Sequence, residues 1–153
     1  MCHAPPAPSP TSETWRTEVV SPAAVTFSRS MLRRHVGMRC LPAGVDESDV
    51  EVLLLAYEEL ASNAIRHGRL PVHITVTTMD DGWLIDVADD ATGCAPAPTI
   101  DRDPAQGRLG LHLVARLCRT HGWWTDNTRR HVWARIHPGD RRGSTGAGGE
   151  GLG

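Results

Sequence analysis

Residues 72 to 90, VHITVTTMDDGWLIDVADD, alternate apolar and polar on either side of Asp80-Asp81-Gly82. That pattern is a β-hairpin: two short strands joined by a tight, glycine-containing turn. WWTDN and RHVWARI, near the end of the chain, repeat the arrangement. Strands joined by a tight turn run antiparallel, because a parallel pair needs a crossover of a dozen or more residues. Consecutive hairpins therefore exclude an all-parallel, doubly wound sheet.

The remaining segments supply helices. TWRTEVV has the length and β-branched content of a strand, and SPAAVTFSRSMLRRHVGMRC follows it. Ser21 is placed to cap a helix there, with Pro22 at the first helical position, where its missing N–H costs nothing. Ala24, Phe27, Met31 and Leu32 are expected on its buried face. DESDVEVLLLAYEELASNAIRHG predicts a second helix, with an acidic first turn suited to the helix dipole and Gly68 as its stop. Leu53 to Leu55 are expected to anchor it. LGLHLVARLCRTHG predicts a short third helix carrying Leu109, Leu113, Val114 and Leu117. The order β-α-α-β-β-loop-α-β-β predicts an α/β (α+β) two-layer sandwich. Its sheet is mixed and largely antiparallel, with helices packed on one face.

A chain of 153 residues suits one domain. Residues 1–13 are rich in Pro, Ser and Ala and 138–153 in Gly, so both are expected to be disordered tails around a domain at 14–137. A net charge of -2 gives no reason to expect nucleic acid as a partner. No apolar run nears the ~20 residues of a membrane span. The amino terminus lacks a signal peptide's basic and apolar regions, so a cytoplasmic location is expected. Cys2, Cys40, Cys94 and Cys118 show no metal-ligand spacing, and reduced, mostly buried thiols are expected. All 16 basic residues are arginine, and a Walker-type phosphate loop needs a lysine, so that nucleotide site is excluded.

The second helix changes character midway. Glu59, Asn63 and His67 recur every four residues, continuing the line of Leu55, and so form one column beside Arg66. An Asn oxygen can ligate a hard cation such as Mg²⁺, while a Glu one turn earlier polarises an attacking hydroxyl. The same spacing also describes the wet side of any amphipathic helix. In IDVADDATG, Asp89 ends a strand before a small turn, where a carboxylate can accept from an exocyclic amine or simply make the turn. In GRLGLHLV, Gly107 and Gly110 stand at a loop-to-helix junction, which can bind anions or merely cap the helix.

Taken in order, EELASNAIRHG, a hairpin, VADDATG, a variable loop and GRLGLHLVARL resemble the histidine-kinase-like ATP-binding domain of the GHKL superfamily, with its Bergerat-type fold. More narrowly, the chain looks like the small bacterial branch comprising anti-sigma-factor serine kinases and their relatives, over about Trp15 to Ile136. The resemblance implies ATP and Mg²⁺ as cofactors. It makes Asn63 the Mg²⁺ ligand, Glu59 the catalytic carboxylate and Asp89 the adenine-reading one. Gly93 matches the second glycine of that box, and Gly107, Gly110 and Leu111 match the phosphate-cradling box. Residues 95–106 correspond to the ATP lid. Ala91 replaces the usual first glycine. Arg108 stands where many relatives have glycine and could contact phosphate itself. Asp101 and Asp103 bring negative charge to the lid.

The resemblance implies a serine/threonine protein kinase acting on an anti-anti-sigma-type regulator, with a sigma factor as a second protein partner. It is also compatible with a homodimer. The alternative is a non-catalytic ATP-binding module that sequesters its partner. A histidine-kinase fragment fits less well, because its only candidate phosphoacceptor, His35, lies among arginines on a helix of the domain itself. Arg29, Arg33, Arg34 and Arg39 give the first helix a basic face that suits an acidic partner or, equally, solvent.

Overall fold

The computed structural model describes residues 4–8, 12–90, 109–118 and 120–138. In chain order it contains β1 (Glu13–Val19), α1 (Pro22–Gly37), α2 (Glu47–His67), β2 (Val72–Met79) and β3 (Gly82–Asp89). After these come α3 (Leu109–Leu117), β4 (Thr120–Thr125) and β5 (Arg130–Ile136). The five strands form one sheet in the order β1-β2-β3-β5-β4. The expectation of a mixed sheet resolves into a simpler one, since all four adjacent pairs are antiparallel. β3 and β4 run in the same direction, but β5 lies between them, so they form no parallel ladder.

The helices cover one face of this sheet. Val72, Ile74 and Val76 of β2, Trp83, Ile85 and Val87 of β3, and Ala134 and Ile136 of β5 join the core, as period-two alternation requires. From the other side α2 contributes Leu53, Leu54, Tyr57, Leu60, Ala61 and Ala64. Leu55 is not an anchor. It stands 36% exposed at the head of the same column as Glu59 and Asn63.

The buried face of α1 also differs from the expected one. Val25, Ser28, Leu32 and Val36 point inward, whereas Phe27 and Met31 are exposed and Ala24 is half-buried. A serine in the middle of the inward row hides that face from a hydrophobicity count. Ser28 belongs there because its hydroxyl is satisfied, donating to the Val25 carbonyl at 3.0 Å and sharing a 2.6 Å hydrogen bond with the Tyr57 hydroxyl of α2. Burial pushes the Tyr57 phenol up to about 12, with the Ser28 bond working against the shift. Trp15 of β1 meets the same ring edge-on at 5.9 Å, which fixes both helices over the sheet.

The helix ends follow their sequence signals. The Ser21 side chain accepts from the Ala24 amide at 3.1 Å. Asp46 and Asp49 close a reciprocal capping box at 3.1 and 2.9 Å. Gly82, at φ 151°, opens β3 where an added Cβ would meet the Ile136 carbonyl oxygen at 1.9 Å, so no other residue fits that turn. The third helix stops at Leu117. Thr120 to Gly122, expected as its continuation, instead open β4 because they pair with Arg135, Ala134 and Trp133 of β5. Among the described residues no helix is long and apolar enough to cross a membrane.

Candidate functional site

The last turns of α2 carry the polar column. Glu59 and Asn63 are half-buried, and Arg66 and His67 are exposed. Among the described residues no hydrogen bond or ion pair commits the side chain of Glu59 or Asn63. Their neighbours on the same helix are spent otherwise: Glu58 pairs with Arg29 at 3.3 Å and Glu51 with Arg33 at 2.9 Å, both on α1. Arg39 pairs with Glu13 at 2.5 Å, so three of the four arginines of the basic face already meet carboxylates of this chain.

Asp89, the last residue of β3, is 4% exposed. Arg130 and Gly68 are among the neighbours that hold it. Arg130, the first residue of β5, is its direct cross-strand partner and places Nη2 3.0 Å from Asp89 Oδ2. Gly68, which ends α2, lies against the same oxygen. A Cβ there would stand 2.6 Å from Asp89 Oδ2 and 2.6 Å from the Ala64 carbonyl. Gly68 is therefore more than a helix stop; the absence of its side chain lets the helix end sit on the carboxylate. The Asp90 amide donates to the Arg69 carbonyl at 3.3 Å, which ties the end of β3 to the residues after α2.

One end of the domain thus gathers the end of α2, the end of β3 and the start of β5. Asn63 lies five residues before Gly68, about 7 to 8 Å along the helix axis, and Glu59 one further turn back. Mg²⁺ keeps most of its shell as water or phosphate oxygens and takes only one or two protein ligands. An uncommitted, half-buried Asn oxygen fits that demand. Among the described residues no group of three His, Cys, Asp or Glu side chains could cage a metal alone.

Gly110 and Leu111 lie in the first turn of α3, and that helix packs on α2. Gly93, Gly107 and Arg108, the lid at 95–106 with Asp101 and Asp103, and residues 1–3, 9–11 and 139–153 of the two tails lie outside the described residues. His35 is half-buried near the end of α1. Of the cysteines, Cys118 is buried as expected, Cys40 is exposed, and Cys2 and Cys94 lie outside the described residues. Arg130 is not marked as a site residue by any motif of the sequence. Its only signal there was two adjacent arginines before a strand, and which of them meets Asp89 depends on the register of β3 with β5.

The opposite face of the sheet carries a separate cluster. His131 Nδ1 lies 2.9 Å from Asp86 Oδ1 and Nε2 lies 2.9 Å from Asp126 Oδ2, while Trp124 stacks on the ring at 4.2 Å. Burial disfavours the imidazolium, but the two carboxylates outweigh it and the His131 pKa is raised. Backbone amides of Thr128 and Arg129 together with His131 hold Asp126 well below the usual carboxylate range. A raised histidine contributes stability that is fully present below its unfolded value of about 6.5 and fades as pH climbs through the folded value. The melting temperature is thus expected to fall between pH 6 and pH 8 by more in the wild type than in His131→Gln, measured by thermal melts in matched buffers. Equal slopes would mean the two carboxylates leave His131 untuned.

A family model described as the histidine kinase-like ATPase domain matches residues 21–136. No curated protein matches the chain.

Proposed function

Because the chain belongs to the histidine kinase-like ATPase domain family, we propose that it binds ATP with Mg²⁺ and transfers the γ-phosphoryl group to a serine or threonine of a protein partner. The partner is a small regulator of the anti-anti-sigma type, with a sigma factor as a second protein held by the same chain. Bound Mg²⁺ supplies neutralisation of the charge on the β- and γ-phosphates. Every other part falls to the chain. Asn63 offers its carboxamide oxygen to the cation. Asp89 accepts from the exocyclic amine of the base. Gly93, Gly107, Arg108, Gly110 and Leu111 are assigned to the phosphates and lid by the family pattern. Glu59 takes the proton of the acceptor hydroxyl as its oxygen bonds to the γ-phosphorus, while the bond to the β-bridging oxygen breaks and its electron pair leaves on ADP.

The observation that carries this reading is the pairing of roles at one end of the domain. Glu59 and Asn63 are half-buried and uncommitted, and the helix bearing them ends directly on the buried Asp89. A merely wet helix face has no reason to end that way. The test is calorimetry of the full chain with ATP, with and without Mg²⁺, followed by radiolabelled ATP and candidate anti-anti-sigma proteins. Mg-dependent ATP binding and label on the partner are expected. Binding without label supports the sequestering module, and absent binding removes the nucleotide reading altogether.

A further inference from the structure

Asp89 and Arg130 form a buried ion pair where a carboxylate is poorly placed to stand alone. Their side chains are only 6% and 7% exposed. The carboxylate lies at the C-terminal end of α2, where the helix dipole presents its negative pole. The Gly68 backbone N–H at that end donates to the Ala64 carbonyl at 2.7 Å. A lone charge buried there is costly, and a planar guanidinium offsets that cost while fixing the plane of its partner. Both constraints act on the same atom. Oδ2 is met by Arg130 on one side and by the bare Cα of Gly68 on another, so the carboxylate cannot rotate freely.

We infer that Arg130 is the specificity-setting residue of the base site: it locks the orientation of the Asp89 carboxylate, so that the site takes a purine bearing a 6-amino group and rejects one bearing a 6-oxo group. This rests on the reading of Asp89 as the base-reading carboxylate. A carboxylate held as an acceptor matches an N–H donor and opposes a carbonyl oxygen. A freely turning carboxylate discriminates far less. Arg130 acts through Asp89 and is a positioning residue.

The experiment measures calorimetric affinities of ATP, purine riboside triphosphate, which lacks the amine, and inosine triphosphate for wild type, Arg130→Met and Arg130→Lys. Wild type is expected to prefer ATP over both analogues by roughly 10- to 100-fold, the worth of one hydrogen bond to a charged group. In Arg130→Met that preference collapses to within about threefold, and Arg130→Lys, which keeps the charge without the fork, falls between. A general loss of structure would weaken all three nucleotides alike and leave the preference intact, and that result overturns the proposal. An unchanged preference in either variant does the same, so the lysine variant suffices if the methionine variant does not give a folded melt. Failure of the wild type to bind ATP is a different outcome, because it sinks the reading of the site on which the inference stands.

Discussion

Asn63→Ala is expected to abolish Mg-ATP binding in calorimetry while leaving the fold intact. The carboxamide is half-buried and bound to nothing in the protein among the described residues, so its removal breaks no internal hydrogen bond. Alanine is also the better helix former at that position. The effect therefore falls on the ligand. Removing a second-shell partner of a metal site typically costs 10- to 100-fold in affinity, and removing the one protein oxygen on the cation should exceed about 100-fold. Nucleotide affinity measured in EDTA should change far less, which separates a metal ligand from a general contact. Unchanged Mg-ATP affinity would take away the basis for placing the cation on α2.

Glu59→Gln is expected to separate binding from chemistry. The carboxamide has the shape of the carboxylate but cannot take a proton from the acceptor hydroxyl. Phosphoryl transfer to the partner should fall by about 10²- to 10⁴-fold, the usual contribution of a general base. Mg-ATP affinity should stay within about threefold, since Glu59 sits a full turn from Asn63 and no described side chain depends on it. The signature of a group used only in the transition state is a lower kcat with little change in affinity. Equal transfer rates in both proteins would leave Glu59 as part of the wet helix face. If wild type transfers nothing to any partner, the chain is a nucleotide-dependent binder.

The geometry also bears on partner recognition. The basic face expected on α1 is largely consumed, because Arg29, Arg33 and Arg39 pair with Glu58, Glu51 and Glu13 of the same chain. Such exposed pairs are weak and exchange readily, so they still leave the helix able to meet an acidic surface. The same helix also exposes apolar side chains. Phe27 is 69% exposed and Met31 40%.

Short-range rules carried much of the fold. The Ser21 cap and the Gly68 stop depend on residues within a few positions of one another, and each was legible because its physics is local. The hairpins were legible for the same reason, and they forced an antiparallel sheet. The column of Glu59 and Asn63 follows from the helical period, so the sequence could place it on one line but not on one side of the molecule. Which side α1 buries was misread, because Ser28 looks like a surface residue until Tyr57 stands 2.6 Å away. The boundary of α3 was misread because Thr120 to Gly122 take their conformation from β5 and not from their own preference.

By itself, then, the sequence determined the elements, their antiparallel hairpins and the column of Glu59 and Asn63, all of them properties of neighbours along the chain. Only the tertiary structure decided that Gly68 presses on Asp89 and that Arg130, rather than Arg129, meets its carboxylate. Asp89 and Arg130 are separated by 41 positions in the chain. Their encounter is set by the register of two strands, and a shift of a single residue would turn the guanidinium to the other face of the sheet.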